Sequence, residues 1–120
     1  MYASAKNIDN LICTIDYNQK QIDGSTDDVL SLGSLNAKFE AFGWDVISCQ
    51  KGNNINELIR TLEEAKNRTG KGKPICIVMH TEMGNGVDFM MGTHKWHGAA
   101  PNDEQLSDAL SQNKETLGDF

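Results

Sequence analysis

An α/β fold, with a parallel sheet flanked by helices, is what this sequence predicts, on three observations. Short apolar runs rich in β-branched residues alternate with stretches of helical periodicity. Their order is β-α-β-α-β, which implies crossover connections and strands that share one sheet. Two long segments without regular periodicity each follow an apolar run. That puts them at strand C-terminal ends, the edge where open α/β sheets bind ligands.

The first predicted strand is Asn10–Asp16, the second Trp44–Cys49 and the third Pro74–Met79. The first and third are nearly continuous in hydrophobicity, so both are expected to be buried on both faces of the sheet. Between the first two, Ser34–Phe42 places Leu35, Phe39 and Phe42 on one helical face, with Ser34 to cap its start and Gly43 to end it. Asn54–Lys66 follows the same logic: Ile55, Leu58, Ile59 and Leu62 form an apolar stripe, and Gly70 follows its end. A third, peripheral helix is predicted over Asp103–Ser111. The irregular segments are Tyr17–Gly33 and Glu82–Asn102.

Composition narrows the function classes. Eleven basic against seventeen acidic residues give a net charge of −6, which repels phosphate backbones and argues against nucleic-acid binding. No apolar run approaches the length of a membrane span, and the first ten residues lack the apolar core of a signal peptide. A cytoplasmic location is expected. Cys13, Cys49 and Cys76 have no metal-site spacing and read as small buried hydrophobes in a reducing compartment.

Two stretches carry candidate chemistry. In Asp16-Tyr-Asn-Gln-Lys-Gln-Ile-Asp-Gly24, a strand ends and turns at Ile-Asp-Gly. Asn18 offers a neutral oxygen to a hard cation, the carbonyl of Lys20 offers another, and Mg²⁺ takes oxygen ligands. Asn and Asp after a strand are equally ordinary turn residues. In Thr93-His-Lys-Trp-His-Gly98, two histidines stand three apart. They read as a metal pair without further ligands, as donors to a phosphate or carbonyl, or as a histidine packed beside Trp96.

Together these pieces resemble the transketolase family in order and spacing. Asn10-Leu-Ile, Asp16-Tyr-Asn18 and Ile22-Asp-Gly24 are similar to the second half of its thiamine-diphosphate motif. Phe39–Ile47 resembles the helix and strand that follow. Lys73–Val78, Thr81-Glu-Met-Gly-Asn-Gly86 and Trp96-His-Gly98 resemble the segment ending in the family's substrate-site histidine. The run Trp96–Leu106 is especially close to N-terminal subunits of split transketolases, and the resemblance extends over nearly the whole chain.

The resemblance implies a partial thiamine-diphosphate-binding fold, with residues 1–120 as the C-terminal part of that domain, truncated at its N-terminus. It implies thiamine diphosphate and Mg²⁺ as cofactors. Asn18 and the Lys20 backbone carbonyl match metal ligands, Asn18 also neighbours the diphosphate, and Ile22 packs against the thiazolium. His97 matches the histidine near the cofactor phosphate and donor sugar and is the catalytic candidate; His94 is left outside the site. The implied reaction is transfer of a two-carbon ketol unit between sugar phosphates, as in the pentose phosphate pathway. The implied partner is a C-terminal transketolase subunit carrying the pyrimidine-binding domain.

The motif's Gly-Asp-Gly half, which holds the charged Mg²⁺ ligand, does not occur before Asn18. The 120 residues alone are therefore expected to be inactive, with Met1 inside a helix of the parent domain, an exposed apolar sheet edge, and an end like that of a natural subunit. Two other readings are a non-catalytic interaction module that keeps the fold and a fragment of a deoxyxylulose-phosphate synthase-like enzyme.

Overall fold

The computed structural model describes residues 1–113. The chain's end, read above as a subunit terminus, lies outside them. In order, the elements are α1 (Tyr2–Ala5), β1 (Ile12–Tyr17), β2 (Lys20–Gln21), β3 (Gly24–Ser25), α2 (Thr26–Leu30), α3 (Leu35–Ala41), β4 (Asp45–Cys49), α4 (Ile55–Arg68), β5 (Ile75–His80) and α5 (Asp103–Gln112). Strands β1, β5 and β4 form a parallel sheet in that order, and β2 and β3 form a separate antiparallel hairpin.

All three predicted strands and all three predicted helices are present, with ends that agree to within two residues. Local chemistry explains the agreement. The side chains of Ser34, Asn54 and Asn102 each accept a hydrogen bond from a backbone N–H in the first turn of α3, α4 and α5. Asn102 and Gln105 also form a reciprocal capping box.

The last strand in the chain is the middle one of the sheet. Residues Ile75 to Val78 of β5 are buried, because β1 and β4 flank it and helices lie over it. Alternate residues serve the two faces. Ile47 and Cys49 of β4 and Ile75 and Ile77 of β5 form the core with Ala65 of α4. On the opposite face, Asn36 of α3 donates to Ser48 Oγ at 2.7 Å. Arg68 at the end of α4 pairs with Asp45 at 2.9 Å and with Glu64, tying the helix to the start of β4. Phe39 meets Trp44 edge-on, with ring centroids 5.4 Å apart, and this anchors α3 to the sheet.

Three expectations need correction. β1 is not buried on both faces: it is the edge strand, and Thr14 and Asp16 are exposed. Its apolar content fits an edge that remains unpaired among the described residues. The stripe of α4 is not a continuous core face either. Leu58 packs inward, but Ile55, Ile59 and Leu62 are 65%, 48% and 47% exposed. They border an apolar groove of about 280 Å³ with Thr14, Ile77 and Met79, because α4 overhangs the β1 side, where the sheet stops. The segment Tyr17–Gly33 is not irregular throughout, since it holds the hairpin and α2. Its turn falls at Ile22-Asp23, between β2 and β3, where Ile-Asp-Gly predicted one. Among the described residues, no helix is long and apolar enough to cross a membrane.

Candidate functional site

The parallel register brings the C-terminal ends of the strands side by side. Tyr17 of β1 lies opposite His80 of β5, and Cys49 of β4 lies opposite Met79. Everything that follows these residues in the chain leaves from this one edge. The Tyr17 and His80 rings meet edge-on at 5.3 Å. Thr81 Oγ1 donates to Asp16 Oδ1, so the first residue after β5 is tied to the end of β1. Gly52 N–H donates to the His80 carbonyl at 2.7 Å, which draws the β4–α4 loop onto the same edge. A Cβ at Gly52 would stand 2.8 Å from that carbonyl oxygen and 2.7 Å from Thr81 Cγ2, so only glycine allows this approach.

Asn18 and Lys20 sit together where β1 gives way to the hairpin. Asn18 Oδ1 accepts from Lys20 N–H at 2.9 Å, and Asn18 Nδ2 donates to Asp16 Oδ2 at 3.4 Å. Asp16 thus braces both Thr81 and the Asn18 amide, and it fixes which way the amide faces. The amide oxygen has two lone pairs, and one is taken by Lys20 N–H.

These donors fit a cation that takes oxygen ligands, but only as a neutral partial set. Among the described residues, no three His, Cys, Asp or Glu side chains converge to hold a metal ion. Gln21 Nε2, in the same hairpin, is buried with no hydrogen-bond partner among the described residues. A free buried donor suits a hairpin completed by a bound group.

Ile22 and His97 lie far apart in sequence yet line the same cavity, of about 500 Å³, with His94, Lys95, Gly98 and Ala99. Ile22 is 68% exposed at the turn of the hairpin, presenting an apolar surface to this cavity. His97 is exposed, and its backbone N–H donates to the His94 carbonyl at 3.0 Å. His94, set aside on sequence, lines this cavity too. The signal for it was its place three residues before His97 in one turn. The Trp96 ring packs on Phe89, and its Nε1 donates to the Phe89 carbonyl at 3.0 Å. That anchor holds the loop while leaving His97 facing out.

The loop from Glu82 to Asn102 is held by further local contacts. Glu82 N–H donates to Asn53 Oδ1 at 2.7 Å, and Glu82 Oε1 accepts from Gly92 N–H at 2.8 Å. Gly84 has φ of +74°, and a Cβ there would lie 2.7 Å from Met90 Cβ and 2.8 Å from the Met90 carbonyl carbon and oxygen. Gly84→Ala combines left-handed strain with a backbone collision. It is expected to cost about 2 kcal/mol or more in a urea titration, and a loss within about 0.5 kcal/mol would mean the loop does not pack this way.

A second cavity, of about 480 Å³, opens between the β4 and β5 ends and is lined by Lys51, Gly52, Asn53, His80 and Thr81 among others. It does not include Asn18, Lys20, Ile22 or His97. The predicted site residues therefore gather on the β1 side of the edge, in two groups joined by the hairpin: Asn18 with Lys20, and Ile22 with His97.

Residues 1–118 match the family model described as "Transketolase, thiamine diphosphate binding domain". The chain is 39% identical over 110 residues to one of the subunits of the apulose-4-phosphate transketolase of Phocaeicola vulgatus, a match covering 92% of this chain and 38% of that protein. It is 36% identical over 112 residues to a 6-deoxy-6-sulfo-D-fructose transketolase subunit of a Clostridium species, covering 93% of this chain and 40% of that one. The chain thus spans about two fifths of these relatives. Among solved structures, the transketolase of Campylobacter jejuni superposes with a TM-score of 0.81 at 31% identity, over 92% of this chain and 17% of that one. The transketolase of Leishmania mexicana superposes with a TM-score of 0.81 at 34% identity, over 92% and 16%. Both sequence and fold lead to one conclusion: this chain belongs to the family of transketolase thiamine-diphosphate-binding domains.

Proposed function

We propose that this chain is the C-terminal part of the thiamine-diphosphate-binding domain of a transketolase, and that it works with a partner subunit carrying the pyrimidine-binding domain. The reaction is transfer of a two-carbon ketol unit between sugar phosphates, in the cytoplasm. The observation that carries this reading is the shared cavity of Ile22 and His97, beside the Asn18–Lys20 turn. Relatives named as single subunits of a transketolase support an assembly of two kinds of chain. On this reading the 120 residues alone are inactive.

In this role Asn18 Oδ1 and the Lys20 carbonyl would give neutral oxygens to Mg²⁺, a hard cation that takes oxygen ligands. Thiamine diphosphate, when bound, supplies the carbanion chemistry of ketol transfer. Ile22 would offer an apolar surface to the cofactor's thiazolium ring. The exposed imidazole of His97 would donate a hydrogen bond to phosphate or substrate oxygen. Asp16 holds the Asn18 amide in place.

Asn18→Ala in the intact assembly tests the reading. Thiamine diphosphate affinity, titrated calorimetrically at fixed Mg²⁺, is expected to fall about tenfold or more, the effect of one lost charge-assisted contact. Unchanged affinity would remove Asn18 from the site and, with it, the metal role of this turn.

A further inference from the structure

We propose that Cys13 and Cys76 form a thiol pair that closes to a disulfide across the β1–β5 ladder when a low-molecular-weight disulfide oxidises Cys13. The two cysteines are direct partners in the parallel register. Adjacent strands run about 4.8 Å apart. Disulfides join Cα atoms about 4.4–6.8 Å apart, so the pair lies within reach. Alternation puts both side chains on one face of the sheet. Cys76 stands between Ile75 and Ile77, whose side chains belong to the core under α4, so Cys76 points to the other face, as its partner Cys13 does.

The pair is asymmetric in a way that sets the order of events. Cys13 is half-buried, whereas Cys76 is completely buried. Only Cys13 can meet a reagent from solvent. Burial, and then the neighbouring Cys13 thiol, push the Cys76 thiol up to about 12. Cys76 is therefore not the first to react. The Cys13 thiolate attacks one sulfur of the small disulfide, forming a mixed disulfide and releasing one small thiol. Cys76 then loses its proton and attacks the Cys13 sulfur, forming the Cys13–Cys76 bond and releasing the second small thiol. Two protein thiols are oxidised, and one small disulfide is reduced to two thiols. Cys49 is also buried, but it belongs to the core cluster on the α4 face, so the sheet separates it from this pair. It serves as an internal control.

The test is incubation of the folded chain with oxidised glutathione, followed by acid quench, alkylation of free thiols, digestion and mass spectrometry. A peptide pair joining Cys13 to Cys76 is expected. It should be absent in Cys13→Ser and in Cys76→Ala, and stay unchanged in Cys49→Ser, because the bond needs both sulfurs. Cys13→Ser, at the half-buried position, gives the answer should Cys76→Ala fold poorly. The proposal is overturned by glutathione left on Cys13 without closure, by cross-links that include Cys49, by all three thiols staying free, or by a link that forms only in urea.

Discussion

Ile77→Ala is expected to lower the free energy of unfolding by about 3–4 kcal/mol, the cost of emptying a well-packed core position. Ile77 is 1% exposed on the central strand. It is paired in register with Thr14 of β1 and with Ile47 of β4, and it packs in the cluster that includes Cys49 and Ala65. Few layers surround that cluster: three strands, with one long helix on this face. Domains of ordinary size keep only about 5–15 kcal/mol of net stability, so this one substitution removes a large share. Ile77→Val removes a single methyl group and should cost about 1 kcal/mol. Urea titrations followed by circular dichroism give both values. A loss below about 1 kcal/mol for the alanine variant would show that β5 is not the centre of the core.

His97→Ala should act in the opposite way, on turnover and not on folding. The side chain is exposed, and among the described residues the one hydrogen bond of His97 runs from its backbone N–H to the His94 carbonyl. Removing the imidazole should therefore leave stability within about 0.5 kcal/mol. In the intact assembly, turnover should fall by about a hundredfold or more, the range for a positioned group that donates or exchanges a proton. His94→Ala, in the same cavity, should fall less, since His94 is half-buried. Steady-state kinetics with a ketose-phosphate donor, run beside a thermal melt, separates the two effects. Full activity of His97→Ala would take His97 out of the site, and a melt lowered in step with the rate would recast it as a structural residue.

Much of this architecture was readable from local chemistry. The β-branched runs around Cys13 and Cys76 became β1 and β5, and the polar caps Ser34, Asn54 and Asn102 start the helices predicted to follow them. Caps and strand propensity act within a few residues, so a linear reading finds them. The turn at Ile22-Asp23 was legible for the same reason, while the two-residue strands flanking it were too short to leave a periodicity.

By itself, then, the sequence determined the three strands of the parallel sheet and helices α3, α4 and α5, the family resemblance and the residue types on offer at the strand ends. Tertiary structure alone decided their neighbours. Hydrophobicity marked β1 and β5 alike, yet β5 lies buried at the centre and β1 at the edge, because strand order follows from which surfaces bury one another. The same long-range packing put Ile22 beside His97, tied Thr81 to Asp16 and set Cys13 opposite Cys76. None of these pairs leaves a local trace, because each joins residues whose spacing in the chain carries no period, and only closing the sheet brings them together.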